Sequence, residues 1–287
     1  MARDHASDFE RDGVLVGVDI LNSDEAATYL ASIERFERDR ADDLPVQEIF
    51  RTGAHMVLSA VDELVRHPSV LDCIEALLGP DLMVWDSDIL IKEPHSEGYI
   101  SWHQDLRYWG VDSTYALTAW IALTDATREM GCMRFLPGSH HEGLLDHTDT
   151  FEGRNMLSRG QTAAFEVDEA ATTSGDLRAG QMSVHHSLML HASTPNRSDR
   201  RRVGLAIRYA TPALRQIVAD RDYAQLVRGE DRHGNFLPAP RPDFGASPDA
   251  VAAWRRITDD QAAAYFQGVD EDKKTWTGGD ATRSPAS

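Results

Sequence analysis

The stretch Trp102-His103-Gln104-Asp105 sets an imidazole and a carboxylate two residues apart. In an extended strand, residues i and i+2 face the same side, so both groups can address one point. Downstream, the apolar run His185-His186-Ser187-Leu188-Met189-Leu190-His191 ends in a histidine followed by turn residues. Two imidazoles and one carboxylate occupy one face of an octahedron and leave three adjacent positions free. That arrangement suits non-haem iron(II) and the activation of O2. His103, Asp105 and His191 are therefore the candidate metal ligands and the candidate catalytic set. A His-x-Asp pair arises often by chance, so its weight depends on the third ligand and on what lies near it.

His185 and His186 compete for the third position. If Gln181–His191 is one continuous strand, alternation puts His185 on the face of His191 but about 20 Å away along the strand. Both cannot then serve one metal unless the strand breaks, so supporting or structural roles are expected for His185 and His186. After His191 the chain turns through Thr194-Pro195-Asn196 and returns as the strand Arg202–Ala210. A hairpin of this kind would put Arg202 beside His191. A buried guanidinium needs a partner, and a bidentate carboxylate is the natural one. The distal carboxylate of 2-oxoglutarate fits, with its 2-oxo-acid end on the metal. Arg208 lies on the same face of that strand, further from His191.

Four stretches, taken together, resemble the phytanoyl-CoA dioxygenase-like family of Fe(II)/2-oxoglutarate-dependent oxygenases. They are Lys92-Glu93-Pro94 leading to Trp102–Asp105; Ala119-Trp120-Ile121-Ala122-Leu123-Thr124-Asp125-Ala126; Gly131 to His140, with Pro137-Gly138-Ser139; and His191-Ala192-Ser193-Thr194-Pro195-Asn196 through Arg202 to Tyr209. Order and spacing match from about Phe9 to Pro212. The resemblance implies a double-stranded β-helix, the cupin-like jelly roll, mainly β with flanking α-helices. It implies iron ligation by His103, Asp105 and His191, and pairing of Arg202 with the distal carboxylate of 2-oxoglutarate. It also implies an assisting hydroxyl on Ser193 and an aromatic wall from Trp120, although Trp120 reads equally as a core residue. His140 is not assigned to the metal. The chemistry implied is oxidation of an unactivated C–H bond of a small molecule by O2, as hydroxylation or oxidative cyclisation, with release of succinate and CO2. A specialised metabolite is the expected substrate. Related halogenases carry a small residue in place of the carboxylate, so Asp105 points to oxygen transfer or ring closure.

One departure stands out. Where family members often carry neutral residues before Lys92, this chain has Asp86 and Asp88. An anion beside a dianionic co-substrate is unfavourable unless paired or bonded to the substrate. These side chains either point elsewhere or recognise a cationic or polyhydroxylated substrate, in which case Asp88→Asn raises KM. Tyr108 and Trp109, just beyond Asp105, are further candidates to face the substrate.

These residues must be held by a scaffold, and the sequence outlines one. Asn22-Ser23-Asp24-Glu25 caps a helix reaching about Arg40. Pro68 opens and Gly79 closes a second helix, Pro68–Leu78. From Leu82 short apolar runs recur between turn residues: Met83–Lys92, Tyr99–Asp105, Ala116–Thr124, Cys132–Leu136, Gln181–His191 and Arg202–Ala210, after an earlier run at Gly13–Ile20. Such spacing predicts an all-β sandwich or barrel. The segments His147–Leu177 and Ala213–Gln267 are expected to cover the mouth, the latter carrying a helix Pro248–Ile257 and another near Asp260–Phe266. One domain over residues 1–268 is expected: a helical region over 1–81, a jelly-roll core of about 82–212 and a lid region over 213–268. A disordered tail is expected over 269–287.

Composition narrows the classes. The 287 residues carry 29 Lys and Arg against 47 Asp and Glu, a net charge of −18. So acidic a surface disfavours nucleic acid and, more mildly, polyanionic acyl-CoA thioesters. No apolar run is long enough to span a bilayer, and Met1–His5 lacks the form of a signal peptide, so a cytoplasmic monomer or homodimer is expected. Cys73 and Cys132 stand alone, which argues against a zinc–thiolate site. A non-oxidative cupin-like metal enzyme remains the main alternative, since it would share the His-x-Asp…His set but has no need of Arg202. Hydroxylation of an acyl-CoA thioester is the second.

Overall fold

The computed structural model describes residues 5–243 and 246–277. The helices are α1 (His5–Asp12), α2 (Ser23–Arg40), α3 (Val46–Arg51), α4 (Ser59–Val65), α5 (Pro68–Leu78) and α6 (Pro248–Tyr265). The strands are β1 (Val14–Asp19), β2 (Leu82–Lys92), β3 (Ile100–His103), β4 (Ala116–Ala122), β5 (Met133–Phe135), β6 (His147–Thr148), β7 (Thr162–Ala163), β8 (Thr173–Gly175), β9 (Gln181–His186), β10 (His191–Ser193), β11 (Arg202–Ala210), β12 (Tyr223–Arg228) and β13 (Leu237–Pro238). A seven-stranded sheet in the order β1-β9-β4-β11-β2-β12-β13 faces a four-stranded sheet, β3-β10-β5-β8. Together they form the jelly roll, and β6 and β7 pair as a separate ribbon.

Period-two alternation in the larger sheet gives it two different faces. Ile89, Leu117, Ala119, Ile121, Val203, Leu205, Ile207 and Tyr209 point outward into one buried cluster with Ile33, Phe50, Leu64, Ile74 and Trp254 of the helices. The opposite face is polar. β11 pairs with β2 so that Arg202 lies opposite Lys92, Gly204 opposite Leu90, Ala206 opposite Asp88 and Arg208 opposite Asp86. Across the other edge of β11, Ala206 meets Trp120 and Arg208 meets Thr118. A one-residue slip would exchange the two faces, so burial of the apolar set fixes the register that presents the polar set inward.

Local signals account for several element ends. Asn22 accepts from the backbone amides of Asp24 and Glu25 while Glu25 returns a bond to the Asn22 amide, closing a capping box on α2. α5 starts at Pro68 and stops at Gly79, whose φ is 92°.

Four expectations need correction. Gln181–His191 is not one strand: β9 ends at His186 in the large sheet and β10 starts at His191 in the small one. Between them the Met189 amide bonds back to the His186 carbonyl at 2.8 Å. The turn is buried, and its polar atoms are met by side chains from elsewhere: Gln104 Nε2 donates to the Leu188 carbonyl and Ser139 Oγ accepts from the Leu190 amide. Second, β10 and β11 form no hairpin but lie in opposing sheets, so Arg202 reaches the site from across the barrel. Third, the two helices expected after Pro248 are one continuous helix. Fourth, the chain beyond Val269 is ordered at least to Thr277: Trp276 packs against Tyr265 and Phe266, each at 5.1 Å between ring centroids. The remainder of that expected tail, 278–287, lies outside the described residues. The segment expected as a lid after Ala213 also contributes β12 to the edge of the large sheet, beside β2. Among the described residues no helix is long and apolar enough to cross a membrane.

Candidate active site

β3 delivers His103 and the following turn delivers Asp105 as the first residue of a short 3-10 helix, so the pair converges by a bend rather than by strand alternation. β10 pairs with β3 in a register that sets His191 opposite His103. The three side chains offer ligand atoms all within 4.8 Å of one another. Asp105 Oδ1 lies 3.3 Å from His103 Nε2 and 3.7 Å from His191 Nε2. Each imidazole donates from Nδ1 to a backbone carbonyl, His103 to Ser101 at 2.9 Å and His191 to Met189 at 3.0 Å. A carbonyl can only accept, so Nε2 of each ring carries the lone pair and faces the centre. Burial holds His191 well below its ordinary pKa, hence neutral.

The second oxygen of Asp105 is engaged elsewhere. Oδ2 accepts from Thr118 Oγ1 at 2.7 Å and lies 3.4 Å from His185 Nε2. Burial alone would raise the carboxyl pKa, but the surrounding imidazoles, His191 first and His185 with it, hold it well below the usual range. Asp105 is thus an ionised carboxylate with one oxygen tied back and the other turned to the imidazoles. The donor set and its outer contacts fit a divalent metal held from one face, with His103, Asp105 and His191 able to supply the ligands.

His185 departs from the sequence reading in its position, although its contact on Asp105 is of the supporting kind expected of it. Because the strand breaks, its ring centroid lies 4.3 Å from that of His191, not a strand length away. It is 1% exposed and its Nδ1 has no partner among the described residues. His186 turns the other way, towards His140 at 5.2 Å and Phe9 at 6.4 Å. His140 itself is bonded to the Glu10 carbonyl, away from the centre.

A cavity of about 1190 Å3, counted to its open mouth, runs from this centre in two directions. One end is formed by Arg202, Ser193, Trp120, Leu90 and Met133. The Arg202 guanidinium lies 5.3 Å over the Trp120 ring and donates to the Gly131 carbonyl. Its Nε is buried without a partner, and no ion pair with it is seen among the described residues. Burial pulls its pKa down from the ordinary arginine value to about 10. Lys92 lies beside it, 1% exposed, donating to Ser193 Oγ at 2.7 Å and to the Thr194 carbonyl. Burial and the nearby Arg202 hold Lys92 well below its ordinary pKa. Two buried basic side chains, with no carboxylate between them among the described residues, match a dianionic co-substrate. Gly204 makes room for the indole, since a Cβ there would overlap Trp120 Cζ2.

A family model described as phytanoyl-CoA dioxygenase (PhyH) matches residues 9–204. The chain belongs to the phytanoyl-CoA dioxygenase (PhyH) family. It is 33% identical over 159 residues, 54% of this chain and 54% of that protein, to a probable alpha-ketoglutarate-dependent hypophosphite dioxygenase of Stutzerimonas stutzeri. The match thus spans about half the length of that relative. It is 26% identical over 248 residues, 76% of this chain and 92% of the other, to the L-proline trans-4-hydroxylase of Streptomyces griseoviridis. Among solved structures, the apo form of the non-haem monooxygenase ThoJ superposes with a TM-score of 0.83 and 36% identity, covering 92% of this chain and 98% of ThoJ.

The other end of the cavity is the half that sequence reasoning only touched. Asp86, Asp88, Tyr108 and Trp109 do line it, with Arg51, Trp85, Arg208, Gln216, Asp222, Gln261, Tyr265 and Trp276, which were not expected there. Arg208, ranked second for the co-substrate, instead pairs with Asp86 at 3.1 Å and Asp88 at 2.8 Å. Tyr108 donates to Asp149 at 2.9 Å. Trp109 meets Trp85 edge-on at 5.3 Å. Thr118, Lys92 and Arg208 were legible in principle, because each lies an even number of residues from Trp120, Asp88 or Arg202 on its own strand. Arg51 and Trp276 had no local signal.

Proposed function

We propose that the chain is an Fe(II)- and 2-oxoglutarate-dependent dioxygenase that oxidises an unactivated C–H bond of a small molecule, releasing succinate and CO2. His103, Asp105 and His191 hold the metal, and Arg202, aided by Lys92 through Ser193 and by the wall of Trp120, holds the distal carboxylate. When bound, iron with 2-oxoglutarate supplies the oxidising power drawn from O2. The chain's own residues do the rest. Thr118 and His185 keep Asp105 oriented, Arg202 and Trp120 fix the co-substrate, and the aromatic end excludes water and positions the target bond. The observation that carries the reading is the buried, unpaired guanidinium of Arg202 lining the same cavity as a converged His-Asp-His face. A non-oxidative cupin-like enzyme accounts for the second feature but not the first. The names of the relatives, a proline hydroxylase among them, support a small-molecule substrate. The activity is assigned to one domain over residues 1–268, with the ordered stretch to Thr277 packed on it.

Anaerobic addition of Fe(II) and 2-oxoglutarate is the test. A weak visible charge-transfer band is expected, absent in His103→Ala and requiring far more 2-oxoglutarate in Arg202→Ala. A band that forms equally in both variants would sink the assignment.

A further inference from the structure

The half of the cavity beyond the proposed metal face contains five charged side chains, and the bonding of each can be followed. Asp86 is fully occupied: Oδ1 accepts from the amides of Gly53 at 2.7 Å and Ser87 at 2.8 Å, and Oδ2 from Arg208. Asp222, buried deeper in the wall, is occupied too, by Trp85 Nε1 at 2.8 Å, Gln216 at 3.1 Å, Gln261 at 3.0 Å and the Tyr223 amide at 2.7 Å. It serves to hold the wall in place. Arg208 is spent between Asp86 and Asp88.

Two groups are left over, one of each sign. Asp88 is 6% exposed, and its Oδ1 is buried without a partner among the described residues while Oδ2 takes Arg208. Arg51 at the end of α3 donates from Nη2 to the Met156 carbonyl at 2.6 Å, but its Nε has no partner. No ion pair with Arg51 is seen among the described residues. Both line the cavity. A buried polar atom without a partner is unfavourable by about 1–3 kcal/mol, and more when charged. The two left-over atoms are therefore addressed to something that enters the cavity.

We infer that the oxidised substrate is a zwitterion of amino-acid type, whose cationic nitrogen bonds Asp88 Oδ1 and whose carboxylate bonds Arg51. This inference rests on the function proposed above and names the substrate class for the same site. Charge balance separates it from the other candidates. Around the two orphans the charges pair off, Arg51 and Arg208 against Asp86 and Asp88, while Asp222 is met by four donors within the wall. A polyol would leave the Arg51 guanidinium without an anion, and a simple acid would leave Asp88 without a donor. An acyl-CoA would bring several negative charges where Arg51 alone lacks an anion. A net-neutral molecule with separated charges satisfies both orphans. The surrounding walls agree: Trp85, Trp109, Tyr108, Tyr265 and Trp276 present aromatic surface, which favours an alkylammonium group.

The experiment uses the full chain with Fe(II) and 2-oxoglutarate. Free amino acids and dipeptides are each compared with their N-acetyl and C-amide forms. Anaerobic calorimetry reads binding and aerobic assay reads succinate release. At least one free zwitterion is expected to raise succinate release tenfold or more, and either blocking group to weaken its binding at least tenfold. In Arg51→Gln the preference for acid over amide should collapse towards unity. In Asp88→Asn the preference for free over acetylated nitrogen should do the same. Each variant is first checked for the co-substrate charge-transfer band, which reports an intact fold and metal site. If the band forms in the wild type but no zwitterion binds, or blocked and free forms bind alike, the substrate class is wrong while the dioxygenase reading stands. If the band itself never forms, the dioxygenase reading fails first.

Discussion

Arg202 offers the sharpest quantitative check, because its two properties pull in opposite directions. It is a buried cation with no counter-ion among the described residues, and burial lowers its pKa from the ordinary arginine value to about 10. At about 1.4 kcal/mol per tenfold, that corresponds to about 3 kcal/mol by which the folded state disfavours the charged form. The unfolded chain keeps its proton to higher pH, so stability rises with pH only from about 10 up to the ordinary arginine range, and near neutrality the whole penalty is present. Arg202→Met removes it. The same change removes the guanidinium over Trp120, worth about 1–2 kcal/mol, and the bond to the Gly131 carbonyl, worth about 1.5 kcal/mol or more. The two sides nearly cancel, so the metal-free variant should unfold in urea within about 1 kcal/mol of the wild type. Its response to co-substrate should be lost. With Fe(II) held anaerobically, 2-oxoglutarate at a hundred times its Kd stabilises the wild type by about 2.7 kcal/mol, and the variant should show almost none of this. The reasoning is refuted if the metal-free variant loses more than about 3 kcal/mol while the co-substrate shift survives, since Arg202 would then be a structural cation.

Four other outcomes are expected. His185→Phe removes the contact on Asp105 Oδ2, and anaerobic metal titration should show affinity falling about tenfold or more, as with other groups that orient metal ligands. Gly204→Ala puts a methyl group into the Trp120 indole, so it should destabilise the fold by about 1–3 kcal/mol and weaken 2-oxoglutarate binding in the same calorimetric assay. Burial raises Asp88 to about 6 despite Arg208. Binding of a cationic ligand should therefore weaken as pH falls through about 6, and that step should vanish in Asp88→Asn; the charges facing Asp88 are Arg208, Arg51 and Asp86, and the arginines stay protonated throughout. Trp276→Ala opens the aromatic end and should raise succinate release that is uncoupled from substrate oxidation, measured as the succinate-to-product ratio.

The electrostatics of the site follow one rule. Groups with fixed roles are paired within the protein, as Asp86, Asp222 and Arg208 are. Groups left incomplete face the cavity, as Arg202, Arg51 and Asp88 do. Arg201, outside it, is matched between Glu37 and Glu93. The basic run Arg200-Arg201-Arg202 is therefore split by function even though its residues are adjacent.

The sequence by itself determined what short-range physics controls. Short apolar runs between turn residues marked β2, β4 and β11. Asn22, Pro68 and Gly79 set helix ends because capping and backbone conformation are local. The spacing of His103 and Asp105 and the motif around His191 pointed to the metal face. What only the tertiary structure decided was where the chain leaves one sheet for the other. The run Gln181–His191 holds no Gly or Pro, and no residue in it demands a break. The break exists because Gln104 and Ser139, distant in sequence, satisfy the buried turn. That break brings His185 to Asp105, and the placement of β11 in the opposite sheet brings Arg202 across the barrel rather than round a hairpin. The substrate end is more remote still. Arg51 from α3, Asp88 from β2, Tyr265 from α6 and Trp276 beyond it share a cavity only because the helices and the C-terminal stretch pack around the same mouth, and such long-range juxtapositions leave no periodic trace along the chain.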